Sequence, residues 1–190
     1  MTRALSDYGI TKTLVRNALK KASKILKEID KIATLSEKTK SEIVSGVLEQ
    51  YLAQSLTRKM GFPVQSPSAD ADPDLSYTRW RKNKSVEIKV AFGLNGSNPW
   101  RGGKYSKRDA PHLLVARNSD LSEIYVVFLN VLISHWIPPS NPNYYAHTYS
   151  KKELITRAHK NELFGAVGYR LNKKGVRTKN NQISMEFESL

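Results

Sequence analysis

The chain has 190 residues, 39 % hydrophobic and 25 % charged, which allows a packed core and argues against disorder throughout. Its 31 Lys and Arg against 17 Asp and Glu give a formal charge of +14, which points to a polyanionic partner, nucleic acid ahead of an anionic membrane surface. It has no cysteine, so disulfides, Cys-ligated zinc and thiol chemistry are excluded.

The opening residues, Met1 to Asp7, hold no apolar run of the secretory kind. No stretch approaches the ~20 apolar residues of a membrane span. A soluble cytoplasmic protein with no membrane partner is the expectation. The spacing of Leu14, Ala18, Ala22, Ile25, Ile29 and Ile32 predicts a helix over 6–33. Lys12, Arg16, Lys20, Lys21, Lys24 and Lys27 fall on its other face, read as a solvated surface in preference to a dimer or DNA-backbone contact. A second helix is predicted over 36–60, with an apolar stripe of Ile43, Val47, Tyr51, Leu52 and Leu56. Ser36 or Ser41 caps its start, and Gly61-Phe62-Pro63 ends it. Residues 63–73, rich in Pro, Ser and Ala, read as loop.

The pattern then changes from a period of 3.6 to a period of two. Strands are predicted over 74–80 and 85–92, joined by a turn at 81–84. Residues 93–109 read as a Gly-rich basic loop. Residues 112–116 and 124–133 read as buried strands, Pro138, Pro139 and Pro142 as loop, and 151–163 as a short helix. Residues 169–181 are basic, with Arg170, Lys173, Lys174, Arg177 and Lys179. The order is that of an α/β protein built around one mixed sheet flanked by helices, with an N-terminal helical segment.

The chemistry is concentrated in Pro73-Asp74, then twelve residues, then Glu87-Ile88-Lys89. Alternation along a strand puts Glu87 and Lys89 on one face while Ile88 and Val90 anchor in the core. Folding back through the turn brings Asp74 close to Glu87. Two adjacent carboxylates repel and raise each other's pKa unless a cation sits between them. A hard divalent ion such as Mg²⁺ suits them, because it takes one or two carboxylates and completes its shell with water and phosphate. The main-chain carbonyl of Ile88 is a further possible ligand. Lys89 would orient a water or stabilise charge on a phosphate.

These residues resemble the PD-(D/E)XK motif of restriction-endonuclease-like nucleases. In that superfamily a helix before the hairpin often carries a further Glu, and Glu49 in Gly46-Val47-Leu48-Glu49 is similarly placed. The resemblance covers roughly residues 42–133. It implies a mixed sheet flanked by helices, Mg²⁺-dependent hydrolysis of phosphodiesters in double-stranded DNA, and often a homodimer that cuts both strands. On this reading residues 1–190 form one nuclease domain. It has an N-terminal helical segment at 1–35, a catalytic core over about 36–165 and a basic C-terminal stretch at 166–190. A type II restriction endonuclease is the leading expectation. A junction resolvase, a repair nuclease and a non-catalytic DNA-binding protein are the alternatives, and RNA stays open as a substrate.

Other patterns give way to this one. Asp70, Asp72 and Asp74 alternate as in a calcium loop, but Leu75 and Arg81 stand where that loop needs Gly and Glu. Asp72 stays open as a substitute for Asp74, and Glu42 for Glu49. Residues 98–105 lack the first Gly and the Ser or Thr of a phosphate-binding loop. The four histidines, His112, His135, His147 and His159, read as structural or exposed. For DNA contact, Arg101, Lys104, Lys107 and Arg108 are interleaved with Trp100 and Tyr105 after the second strand. Arg reads guanine, and Asn95 and Asn98 are placed to read adenine. The basic C-terminal stretch is a second candidate for phosphate contacts.

Overall fold

The computed structural model describes residues 5–66, 74–77, 84–93, 99–103, 110–119, 121–131, 136–137, 144–150, 165–170 and 187–189. The N-terminal helix begins later than its periodicity predicts. Leu5–Tyr8 is a 3-10 turn, Gly9 redirects the chain at φ +70°, and α1 runs over Lys12–Asp30. Glycine is favoured at position 9 because its φ is left-handed; an added Cβ would also lie 2.7 Å from the flexible end of the Met60 side chain, which would have to shift. Thr11 caps α1 by accepting the Leu14 N–H.

The buried stripe of α1 is Val15, Ala18, Leu19, Ala22 and Leu26; it shares Ala18 and Ala22 with the predicted row, with Val15, Leu19 and Leu26 buried in place of Leu14, Ile25 and Ile29. Leu14, Ile25 and Ile29 are half-buried, and Ile32 lies beyond the helix end, 84 % exposed. Two apolar rows run side by side here. Both rows share Ala18 and Ala22, and packing in the core they form with α2 buries the one that adds Val15, Leu19 and Leu26.

That partner is α2, Glu37–Met60. Ser36 caps it by accepting the Thr39 N–H, and Gly61 ends it in the left-handed conformation, as its sequence predicts. Val44, Leu48, Leu52 and Leu56 are fully buried. Ile43, Val47 and Tyr51 pack on the flank of the same core.

The strands are β1 (Val64–Gln65), β2 (Leu75–Tyr77), β3 (Lys84–Phe92), β4 (Pro99–Gly103), β5 (Ala110–Arg117), β6 (Glu123–Val131), β7 (Trp136–Ile137), β8 (Tyr144–Ser150), β9 (Gly165–Arg170) and β10 (Phe187–Ser189). Among the described residues, seven form a mixed sheet in the order β1-β2-β3-β5-β6-β9-β10. The others form a separate sheet in the order β4-β8-β7. β2 and β3 are antiparallel, β3 and β5 parallel, and β5 and β6 antiparallel. The α/β class with a mixed sheet and two long helices follows. No helix among the described residues is long and apolar enough to cross a membrane.

The structure corrects the reading of 93–109 as loop throughout, because Pro99–Gly103 is strand β4 paired to β8. Gly and Pro are poor strand formers, which hid it. Its place at the edge of its sheet is where they are tolerated. The basic C-terminal stretch likewise opens with a strand, β9, which ends at Arg170. The predicted helix over 151–163 lies outside the described residues.

Both helices share one core with the sheet. Val86, Ile88, Leu113, Val115, Val126 and Phe128 project into it with the apolar rows of α1 and α2. The Tyr8 carbonyl accepts the Tyr77 hydroxyl at 2.8 Å, and the Tyr8 ring sits edge-on to Phe128 at 5.4 Å.

The start of α2 is fastened to the end of β5 by Arg117, which is fully buried. Its guanidinium donates to the Glu37 carboxylate (2.8 Å), the Glu37 carbonyl (2.6 Å) and the Ser41 hydroxyl (3.0 Å). Burial alone would raise the Glu37 pKa, but the Ser119 hydroxyl and the Arg117 charge hold it below 4.5. A lowered carboxyl stabilises the fold above its ordinary pKa, and this contribution is lost as pH falls through the lowered value.

Arg117 is fully buried but the Glu37 side chain is 33 % exposed, so the loss is of charge-assisted hydrogen bonds and packing, with no stranded charge. Arg117→Ala is therefore expected to cost about 2–4 kcal/mol in urea unfolding. Glu37→Gln keeps an acceptor and should cost only about 1–2 kcal/mol. A change below about 0.5 kcal/mol in Arg117→Ala would show that the contact holds nothing together.

Candidate active site

β3 carries the site because of its alternation. Val86 and Ile88 are buried toward the helices, so Glu87 and Lys89 share the opposite face. A one-residue slip would drive a carboxylate and an ammonium into the apolar core, which fixes the register. The ladder pairs Leu75 with Val86, Ser76 with Ser85 and Tyr77 with Lys84. One step further sets Asp74 opposite Glu87.

β2 stops there, and among the described residues nothing pairs with this edge of β3 beyond it. The Ile88 N–H is taken by the Asp74 side chain instead, with Oδ2 accepting at 2.5 Å. The carboxylate is thereby held against the β3 backbone. Lys89 Nζ donates to Glu87 Oε1 and lies 3.9 Å from Asp74 Oδ2. Both carboxylates thus converge on one ammonium. The Glu87 side chain is 8 % exposed, that of Asp74 21 % and that of Lys89 24 %.

Glu49 on α2 is near enough for its charge to act on Asp74, Glu87 and Lys89. Its Oε1 accepts the Ser45 hydroxyl at 2.9 Å, one helical turn back. Burial raises its pKa above the usual carboxylate value, opposed by the Ser45 bond and by Lys89, with Glu87 adding to the rise. Glu42 is exposed and pairs with Lys38 at 3.7 Å, so of the two helix acids Glu49 is the one brought to the cluster. Asp72 lies outside the described residues.

The electrostatics are strained. Burial above all pushes the Asp74 carboxyl up to about 7; Lys89 and the Ile88 N–H oppose this, while Glu87 and Glu49 add to it. Burial would lower the Lys89 pKa, but Glu87 and Asp74 override it and hold the ammonium charged. Asp74, Glu87 and Glu49 against Lys89 give a formal charge of −3 + 1 = −2 when all are ionised. A divalent cation offsets that deficit. Among the described residues no three His, Asp or Glu side chains form a ready-made ligand cage. Two carboxylates suit Mg²⁺, which seldom uses an all-protein cage and completes its shell with water and phosphate. The donor set therefore fits such an ion. What the structure shows of Ile88 is its N–H, turned to Asp74.

An open groove of about 350 Å³ lies between the first half of α2 and the end of β3. Ser41, Glu42, Ser45, Val90 and Phe92 line it, and Phe92 is 48 % exposed.

Two neighbours of the site escaped the sequence reading. Ser45 precedes Glu49 by four residues, a spacing that is legible once the helix is known. His112 stands in register with Glu87 on the adjacent strand, on the same face, and is 1 % exposed. It is buried, and only the strand pairing reveals its position. Of the predicted DNA-contact residues, Trp100 and Arg101 lie on β4. Asn95, Asn98, Lys104, Tyr105, Lys107 and Arg108 lie outside the described residues.

The raised Asp74 pKa predicts a pH effect in the presence of EDTA. The folded carboxyl keeps its proton to about pH 7, whereas its ordinary value is 3.8. The native state binds more protons in that window, so stability falls as pH rises through it. Asp74→Asn keeps an acceptor for Ile88 and loses the titration. At pH 8 the variant should be more stable than the wild type by on the order of 1–3 kcal/mol. Equal pH dependence of the two proteins in urea titrations would refute the assignment.

No protein-family model matches the chain, and no curated protein matches it in sequence.

Proposed function

We propose that the chain is a divalent-metal-dependent DNA endonuclease of the restriction-endonuclease-like fold, acting on double-stranded DNA as a homodimer. The observation that carries this reading is the convergence of Asp74 and Glu87 on Lys89, with Glu49 facing them from α2. The mixed sheet flanked on one face by α1 and α2 is compatible with that fold, and the +14 charge suits a polyanionic substrate.

In this reading Asp74 and Glu87 hold a Mg²⁺ ion, with the Ile88 carbonyl as a further ligand. When bound, the ion supplies Lewis-acid polarisation of a phosphodiester and a more acidic water. The remaining work falls to the protein. Asp74 is already oriented by the Ile88 N–H, so its placement costs little reorganisation. Lys89 stays protonated and presents its ammonium where charge builds on the phosphate. Glu49, with its raised pKa and its bond to Ser45, accepts a proton or orients the attacking water. Contacts from Trp100, Arg101 and the basic residues after them belong to the same proposal.

The type II restriction reading predicts cleavage at a fixed short sequence. Purified protein with Mg²⁺ should turn a plasmid into discrete bands, and EDTA should abolish them. Asp74→Asn, Glu87→Gln and Lys89→Met should each lower the rate by at least about 100-fold while duplex binding persists. Glu49→Gln should cost roughly 10-fold or more, and Glu42→Gln should leave the rate unchanged. Cleavage confined to branched DNA, whatever its sequence, would replace restriction with junction resolution. No cleavage of linear, supercoiled or branched DNA in any divalent metal would sink the enzyme reading.

A further inference from the structure

α1 carries a charged feature apart from the carboxylate cluster. Lys12, Arg16, Lys20, Lys24, Lys27 and Lys31 follow one another at steps of three or four residues. At helical geometry they fall within roughly 120° of arc and extend over about 28 Å. The lysines are exposed, and Arg16 is half-buried. Among the described residues, Lys20, Lys24 and Lys27 have no acid within ion-pair distance. α1 has two acids of its own, one pairing with Lys31 at the end of the row and the other with α2. Glu28 pairs with Lys31 at 2.8 Å, and Asp30 with Lys40 of α2 at 3.8 Å.

A basic row on a helix has two natural polyanionic partners. A helix that settles on an anionic membrane needs a free apolar face to bury among the lipids. That face of α1 is consumed, with Val15, Ala18, Leu19, Ala22 and Leu26 all 3 % exposed or less within the protein core. What remains is a straight row of cations without an apolar partner. This suits a polymer carrying regularly spaced charge, since duplex DNA presents one phosphate per ~1.7 Å of axis.

The row also lies on the solvent side of α1, whereas α2 bears Glu49. Packed helix axes lie about 8–10 Å apart, so phosphates on this row are not those at the carboxylates. We propose that the outer face of α1 is a docking surface for a nucleic-acid backbone, independent of sequence and separate from the carboxylate site.

The test is fluorescence anisotropy of the full chain with a labelled duplex of about 30 base pairs, in EDTA, across roughly 50–200 mM KCl. The variant carries Lys20→Gln, Lys24→Gln and Lys27→Gln, which preserve helix propensity. The slope of log affinity against log salt should become shallower by about 0.9 per lost contact, so by up to about 3, with affinity down at least tenfold. A parallel variant with the same residues changed to Glu should bind more weakly still. An unchanged slope and affinity in either variant, with its urea midpoint preserved, would overturn the proposal. So would lysine-dependent sedimentation with phosphatidylcholine–phosphatidylserine vesicles combined with duplex binding that ignores the lysines. The nuclease reading fails or stands separately. Glu87→Gln should abolish cutting and leave the salt slope intact, and a wild type that never cuts would still have to show the slope change.

Discussion

The period-two alternation of β3 is the constraint on which the rest depends. Val86 and Ile88 are committed to the core under α1 and α2, and this commitment turns Glu87 and Lys89 to the opposite face. Burying each such aliphatic side chain stabilises by about 1.5–3 kcal/mol, so the chain gives up far more by slipping than it gains from relieving the charges. The apolar residues thus hold the polar ones where they would not gather by themselves. Burial above all pushes Asp74 up to about 7; the charges of Glu87 and Glu49 add to the rise and Lys89 opposes it.

α2 links this strand to the rest of the fold at two points. At its start, Arg117 binds the Glu37 carboxylate and carbonyl and the Ser41 hydroxyl, fixing the helix over the end of β5. Eight residues after Ser41 the same helix delivers Glu49, itself held by Ser45. Arg117 is remote in sequence from every acid of the cluster, yet it sets the height of α2 over β3. The groove between α2 and β3 exists because the helix is pinned at that end and packed by Leu48 and Leu52 further along.

Much of this was legible in the sequence where local rules dominate. Ser36 and Gly61 bound α2 because capping chemistry is local. β3, β5 and β6 stand out because buried strands are rich in Val, Ile and Leu. The placement of Asp74 opposite Glu87 followed from a short hairpin. The failures share one cause: each was decided by a distant partner. The α1 stripe differs because packing in the core shared with α2 buries Val15, Leu19 and Leu26 in place of Leu14, Ile25 and Ile29. β4 was missed because Pro99, Gly102 and Gly103 disfavour strands until β8 pairs with them. The burial of His112 beside Glu87 depends on the parallel pairing of β3 with β5, which no local pattern encodes.

The distribution of charge also follows a physical logic. The chain is strongly basic overall, yet the largely buried group of Asp74, Glu87, Glu49 and Lys89 has a formal negative balance. A fold selected for stability alone would replace Asp74 or Glu49, since an isolated carboxyl whose pKa is raised by burial destabilises the native state at neutral pH. Protonation of Asp74 relieves part of that cost below about pH 7, and a ligand that brought positive charge to the cluster would stabilise the native state by mass action. On the proposed reading a divalent cation would satisfy the acids, while Lys89 and the net charge of +14 would attract a polyanion. The acidic cluster and the basic excess would then meet two demands, holding a cation and attracting a polyanion, that no single patch of one sign could meet.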